Sequence, residues 1–122
     1  MKIVGLQSDL AVSFASVALV EGPLERMKGL LGRENLPAGQ VMWIRPCASI
    51  HTFFMRFSID VVFLSRDLVV TDVRMGIKPW RAVVGALGSH SVLEMQTGWI
   101  DATSITRGVQ FKLTALDSVE RK

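Results

Sequence analysis

Cysteine is almost missing from this 122-residue chain. Cys47 stands alone, so no internal disulfide can form, as befits a reducing compartment. Histidine is nearly as scarce: only His51 and His90 occur, and nothing shows the ligand spacing of a zinc site, so no metal or cofactor is implied. No apolar run reaches the roughly 18 residues of a membrane-spanning helix, and no membrane association is expected. There is no Lys/Arg cluster and no alternation of aromatic and basic residues, so nucleic acid is not an expected partner. No strained Gly-x-Ser-x-Gly turn presents a nucleophile. Repeats, low-complexity tracts and linkers are also lacking. The opening stretch "MKIVGLQSDLAVSFASVALVEG" has one lysine, and Ser8 and Asp9 interrupt its apolar residues. Its Val, Phe and Ser suit a strand better than the core of a secretion signal, and the chain reads as cytoplasmic.

What is present is one domain's worth of chain, able to bury about two thirds of its unfolded surface. Hydrophobic residues make up 49% and charged residues 20%, the balance of an ordinary folded domain. Residues 12–20, "VSFASVALV", read as a strand. Pro23 opens a short amphipathic helix over about residues 23–31, with Leu24, Met27, Leu30 and Leu31 on one side and Gly32 as its stop. "VMWI" (41–44) is a short buried strand. "IDVVFL" (59–64) and "LVVTDVRM" (68–75) flank Ser65-Arg66-Asp67 as a tight hairpin. Residues 76–91 carry four glycine or proline breaks and read as an excursion before the short "VLEM" (92–95). "VQFKLTAL" (109–116) alternates, with Val109, Phe111, Leu113 and Ala115 on one face. The expectation is a mainly β (α+β) domain: a small antiparallel sheet, closed or half-closed like a barrel, with one covering helix.

Charge is uneven. Residues 45–81 hold six basic side chains (Arg45, Arg56, Arg66, Arg74, Lys78, Arg81) against Asp60, Asp67 and Asp72, while the remainder is balanced. This excess accounts for the net +3 and points to an anionic ligand, unless it is merely a solvated face.

The same third of the chain contains "SIHTFFMRFSID" (49–60). If extended, it places Ser49, His51, Phe53, Met55 and Phe57 on one side and Ile50, Thr52, Phe54, Arg56 and Ser58 on the other. Apolar bulk on both sides predicts burial on both sides. A histidine there needs a hydrogen bond, since a buried unpaired polar group costs about 1–3 kcal/mol. An arginine there wants a carboxylate, from Asp60 or Glu94. One reading is a polar network that pins elements together. Another is a pocket for a small anionic ligand or a peptide, with His51, Arg56, Asp60, Trp80 and Glu94 as binding groups and Trp43 and Phe54 among its walls. A third is an enzyme using His51 as general acid/base with Asp60 orienting it. A fourth is an interaction domain working through an exposed strand edge and no pocket. A Ser49–His51–Asp60 triad is disfavoured, because residues two apart on a strand lie about 6–7 Å apart while a nucleophile needs its base within about 3 Å. Cys47 beside His51 reads more simply as an inert small residue. In Lys78-Pro79-Trp80-Arg81, Trp80 either closes over a ligand or partner or folds back as a plug on one end of the barrel. Trp99 reads as a second plug.

Taken in order, "ERMKGLLGRENLPAGQVMWI", "PCASIHTFFMRFSIDVVFLSRDLVV", "KPWR", "VLEM" and "TRGVQFKL" resemble the domain-of-unknown-function family 192 over roughly Leu10 to Leu116. The most specific part is His51-Thr52-Phe53-x-Met55 followed by Ile59-Asp60-Val61-Val62-Phe63, supported by Glu25-Arg26-x-x-Gly29-Leu30. The resemblance implies a small, compact, mostly β domain and transfers no catalytic residue. Many members carry a secretion signal, which is not evident here. Members commonly have Glu-x-Pro-x-Gly where this chain has Glu94-Met95-Gln96-Thr97-Gly98, so the turn there is expected to differ.

Overall fold

The computed structural model describes residues 2–10, 12–22, 41–53, 55–98 and 105–114. Among them the strands run β1 (Lys2–Ser8), β2 (Ser13–Glu21), β3 (Val41–Arg45), β4 (Ser49–His51), β5 (Ile59–Leu64), β6 (Val70–Ile77), β7 (Ala82–Val84), β8 (Ser91–Gln96) and β9 (Phe111–Thr114). Seven of these form one sheet in the order β6-β5-β8-β3-β2-β1-β9, and β4 pairs with β7 in a separate two-stranded sheet. Every neighbouring pair is antiparallel except β2 and β3.

The large sheet curls until its two outer strands meet at one end. Val69 bridges Gln110, the Val70 N–H donates to the Val109 carbonyl and the Phe111 N–H to the Leu68 carbonyl, both at 2.8 Å. The result is a half-barrel. Its concave side is filled by Leu6, Val17, Trp43, Val62, Leu93 and Phe111. The convex side carries Val20, Ile44, Ile59, Val61, Phe63 and Val92, and the β4–β7 unit lays Ile50, Met55 and Val83 over it. This explains why "IDVVFL" lacks alternation. Strand β5 is apolar on both faces because both are covered, and all six of its residues are buried. Each fully buried Val, Ile or Phe contributes on the order of 1.5–3 kcal/mol, so the central strands carry most of the fold's stability.

The hairpin around Ser65-Arg66-Asp67 forms as the sequence predicts, with Leu68 at φ 64° completing the turn. The segment 12–20 belongs to β2, but a further strand, β1, precedes it; its single glycine and mixed polarity hid it. The excursion 76–91 is not structureless, since its middle forms β7. Leu113 corrects the alternation argument. It faces Leu6 across β1, yet it is 48% exposed, because the closing bridge covers only the Gln110 end of this outermost strand. The expected helix near residues 23–31 and the expected plug Trp99 lie outside the described residues.

Gly85, just past β7, holds the β4–β7 unit down. Its N–H donates to the Ala48 carbonyl at 2.9 Å, and a Cβ there would stand 2.6 Å from Ser89 Oγ and 2.7 Å from Phe63 Cδ1. Gly85→Ala therefore must lift the small sheet or displace Phe63, and is expected to lose about 1–3 kcal/mol in urea unfolding. Unchanged stability would mean that this loop does not rest on Phe63.

Candidate functional site

The segment 49–60 is not buried on both sides. It stays extended only through His51 and then turns, with the Met55 N–H donating to the Thr52 carbonyl at 3.2 Å. Ile50, Thr52 and Met55 point inward, whereas Ser49, Phe53 and Arg56 are exposed and His51 is half-buried. The turn breaks the period of two on which the both-sided reading relied.

Thr52 is the pin of this region. It is fully buried; its hydroxyl donates to the Lys78 carbonyl at 2.7 Å and accepts from the Arg81 N–H at 2.9 Å. Its backbone N–H donates to the Arg81 carbonyl, and its carbonyl accepts from the Trp80 N–H. These bonds hold Trp80 at φ 62°, a left-handed conformation costing an L-residue roughly 1–2 kcal/mol. Trp80 is not a plug. It is 57% exposed and continues a stack of rings, with centroids 4.7 Å apart for His51–Phe53 and 5.7 Å for Phe53–Trp80. The left-handed backbone turns it away from the barrel.

Asp60 is fully buried, with one oxygen accepting from the Gly76 N–H at 2.7 Å and the other from the Gly98 N–H at 3.1 Å. Gly76 is the extra residue of a bulge in β6, between the pairs Ile59–Ile77 and Val61–Arg74. At φ 63° and 102°, Gly76 and Gly98 take backbone that glycine adopts without strain. No hydrogen bond joins His51 to Asp60. His51 lies on β4, over the convex face, while Asp60 sits opposite Met95 on the concave one. Arg56 reaches neither Asp60 nor Glu94 and makes no ion pair among the described residues. Glu94 is buried on the convex face between Met42 and Val61. Of the five binding groups read from the sequence, His51 and Trp80 are joined by ring stacking through Phe53, Glu94 lies on the convex face that β4 covers, and Asp60 lies on the opposite one. Phe54 lies outside the described residues.

A recess of about 250 Å³ opens elsewhere, at the end of β2 and β3 against the β5–β6 turn. Trp43, Arg45, Glu21, Arg66, Ser65 and His90 line it. The parallel pairing of β2 and β3 sets Glu21 beside Arg45, and Arg45 Nε–H donates to Glu21 Oε2 at 2.7 Å. The guanidinium carbon of Arg45 lies 4.6 Å from the centre of the Trp43 ring. Trp43 is itself fully buried and fixed by its indole N–H to Ser91 Oγ at 2.9 Å. Arginine stacked on an aromatic face and bonded through Nε is pre-oriented, and a half-exposed pair of this kind adds only about 0–1 kcal/mol to stability. Its terminal NH₂ groups donate to no described residue. The basic excess of residues 45–81 was the signal for Arg45 and Arg66. Nothing in the sequence could bring Glu21 and His90 to them, since that follows from strand order. Among the described residues no three of His, Cys, Asp and Glu gather as a metal site, and no helix is long and apolar enough to cross a membrane.

A curled half-barrel with a two-stranded flap and an arginine-bearing recess defines a small β domain of a recurring kind. The chain belongs to the domain-of-unknown-function family 192, described as "Uncharacterized ACR", whose model matches residues 6–113. A UPF0127 protein of Pyrococcus furiosus is 32% identical over 97 residues, covering 75% of this chain and 81% of that protein. Two solved structures share the fold. One, a protein of unknown function from Novosphingobium aromaticivorans, has a TM-score of 0.70 at 20% identity over 90% of this chain and 83% of its own. The other, from Sinorhizobium meliloti and provisionally described as a transcription regulator, has a TM-score of 0.72 at 15% identity, over 92% and 94%.

If Asp60 serves the fold and Arg56 does not, their substitutions must differ sharply. Asp60→Ala removes the fully buried acceptor of two backbone hydrogen bonds and is expected to lose roughly 1.5–3 kcal/mol in chemical denaturation. Arg56→Ala is expected to stay within about 0.5 kcal/mol of wild type. Equal losses would restore Arg56 to a buried network.

Proposed function

We propose that this protein is a small non-catalytic binding module that takes an anionic ligand, and that the recess beside Trp43 is where it does so. The observation that carries this reading is the Arg45 guanidinium, held by Glu21 and the Trp43 ring with its terminal N–H groups left to the recess. A planar fork in that state suits a carboxylate or phosphate, which it can meet with two parallel hydrogen bonds. Arg66 and His90 on the rim add donors, and the Arg45 guanidinium, stacked on Trp43, forms the floor on which a small organic anion rests. The size suits a group of a few heavy atoms, such as a dicarboxylate or a phosphorylated fragment.

A pocket at the His51–Asp60 segment has less support, because Asp60 spends both oxygens on backbone N–H groups and Glu94 lies on the far side of the sheet from it. The general acid/base reading asks Asp60 to orient His51, and both Asp60 oxygens are engaged by Gly76 and Gly98 instead.

The test is a thermal-shift screen with phosphate, citrate, succinate and nucleoside monophosphates on wild type, Arg45→Ala and His51→Ala. A ligand at a hundred times its Kd stabilises the fold by about 2.7 kcal/mol, a rise in Tm on the order of 10 °C for a domain of this size. The expected result is a rise in wild type and His51→Ala that is lost in Arg45→Ala. A rise that survives Arg45→Ala and disappears in His51→Ala would move the site back to the β4 segment.

A further inference from the structure

We propose that the outer face of the β4–β7 unit is a docking surface for an anionic lipid membrane. The cross-strand pairs Ser49–Val84 and His51–Ala82 share the side opposite to Ile50 and Val83, which face the core. That outer side therefore presents Ala82 and Val84, continuing into the His51–Phe53–Trp80 stack at one end and the turn bearing Leu87 at the other. Val84 and Trp80 are more than half exposed and Leu87 is fully exposed. Four of the large exposed apolar side chains among the described residues thus belong to one small unit, a concentration that marks an interaction surface.

The segments that build it carry charge of one sign. Residues 45–58 and 73–93, which supply the whole unit and its loops, contain no Asp or Glu; besides Arg45 and Arg74, which pair with Glu21 and Asp72, they carry Arg56, Lys78 and Arg81, all three exposed. Trp and Phe with aliphatic tips and flanking lysine and arginine are the side chains that settle at a lipid headgroup boundary, where ring and methyl groups enter the acyl region and cations meet anionic headgroups. A nucleic acid would use the rings but leave Val84 and Leu87 idle. The left-handed Trp80, turned outward by the Thr52 bonds, places backbone strain on this face.

The probe is co-sedimentation of the full chain with large vesicles of phosphatidylcholine containing 30% phosphatidylserine, and with phosphatidylcholine alone. Trp80→Gly is the decisive variant, since glycine takes positive φ without strain and this protein should fold at least as well as wild type. The expected result is binding to the anionic vesicles that falls at least tenfold in Trp80→Gly and in Leu87→Ser, falls severalfold in Lys78→Gln/Arg81→Gln, and weakens between 50 and 500 mM NaCl. The proposal is overturned if wild type stays in the supernatant, or if Trp80→Gly and Leu87→Ser sediment like wild type. It is likewise overturned if vesicles fail while a labelled oligo(dT) binds in a Trp80-dependent way, or while the chain forms a dimer that Leu87→Ser dissolves.

Discussion

A strand covered on both faces can hold a carboxylate only where donors meet it, and in β5 the Asp60 carboxylate meets the N–H groups of Gly76 and Gly98. Much of the architecture follows from that satisfied charge. Gly76 forms the bulge that bends β6, and Gly98 closes the turn after β8, so one side chain ties the strands on either side of β5 to it. A second register shift in the β5–β6 pair, between Phe63 and Leu64, lies at the other end of β6, beside the Val69–Gln110 bridge that closes the half-barrel. An apolar residue at position 60 would fill the volume and lose both ties.

The polar groups of "SIHTFFMRFSID" divide into two kinds of work. Thr52 and Asp60 are buried and spend their hydrogen bonds on backbone from other segments, which is scaffolding. His51 and Arg56 face outward, His51 as one end of an exposed ring stack. The anion site we propose lies instead where strand ends converge, in the pairing of Arg45 with Glu21 over Trp43. Binding groups at strand ends on a rigid sheet follow a general pattern, since the sheet fixes geometry while the ends remain open to solvent.

How much of this was legible in the sequence depends on the range of the interaction. The β5–β6 hairpin was, because turn chemistry and strand composition are local and Ser65-Arg66-Asp67 sits between two β-branched runs. The mainly β, barrel-like architecture was legible too, from several short strands between glycine and proline breaks. Strand β1 was not, because "KIVGLQS" mixes a glycine with polar residues and gains its partners from β2 and β9, the latter about a hundred residues on. The proposed site was legible only as charge. The excess of basic residues in 45–81 contains Arg45 and Arg66, but their meeting with Glu21 and His90 is a consequence of β2 lying parallel to β3 and of β8 lying between β3 and β5.

The central claim is that the motif at residues 49–60 is scaffold and that the anion site is the recess at Arg45. Its most direct measurement is a ¹H–¹⁵N correlation spectrum of the folded chain titrated with citrate and with phosphate at constant ionic strength. The account predicts saturable shifts at the Trp43 indole N–H and at the amides of Arg45, Arg66 and Ser91, with Thr52, Asp60 and Gly76 unmoved. Saturable shifts centred on His51, Thr52 and Asp60, with the Trp43 indole N–H still, would contradict it.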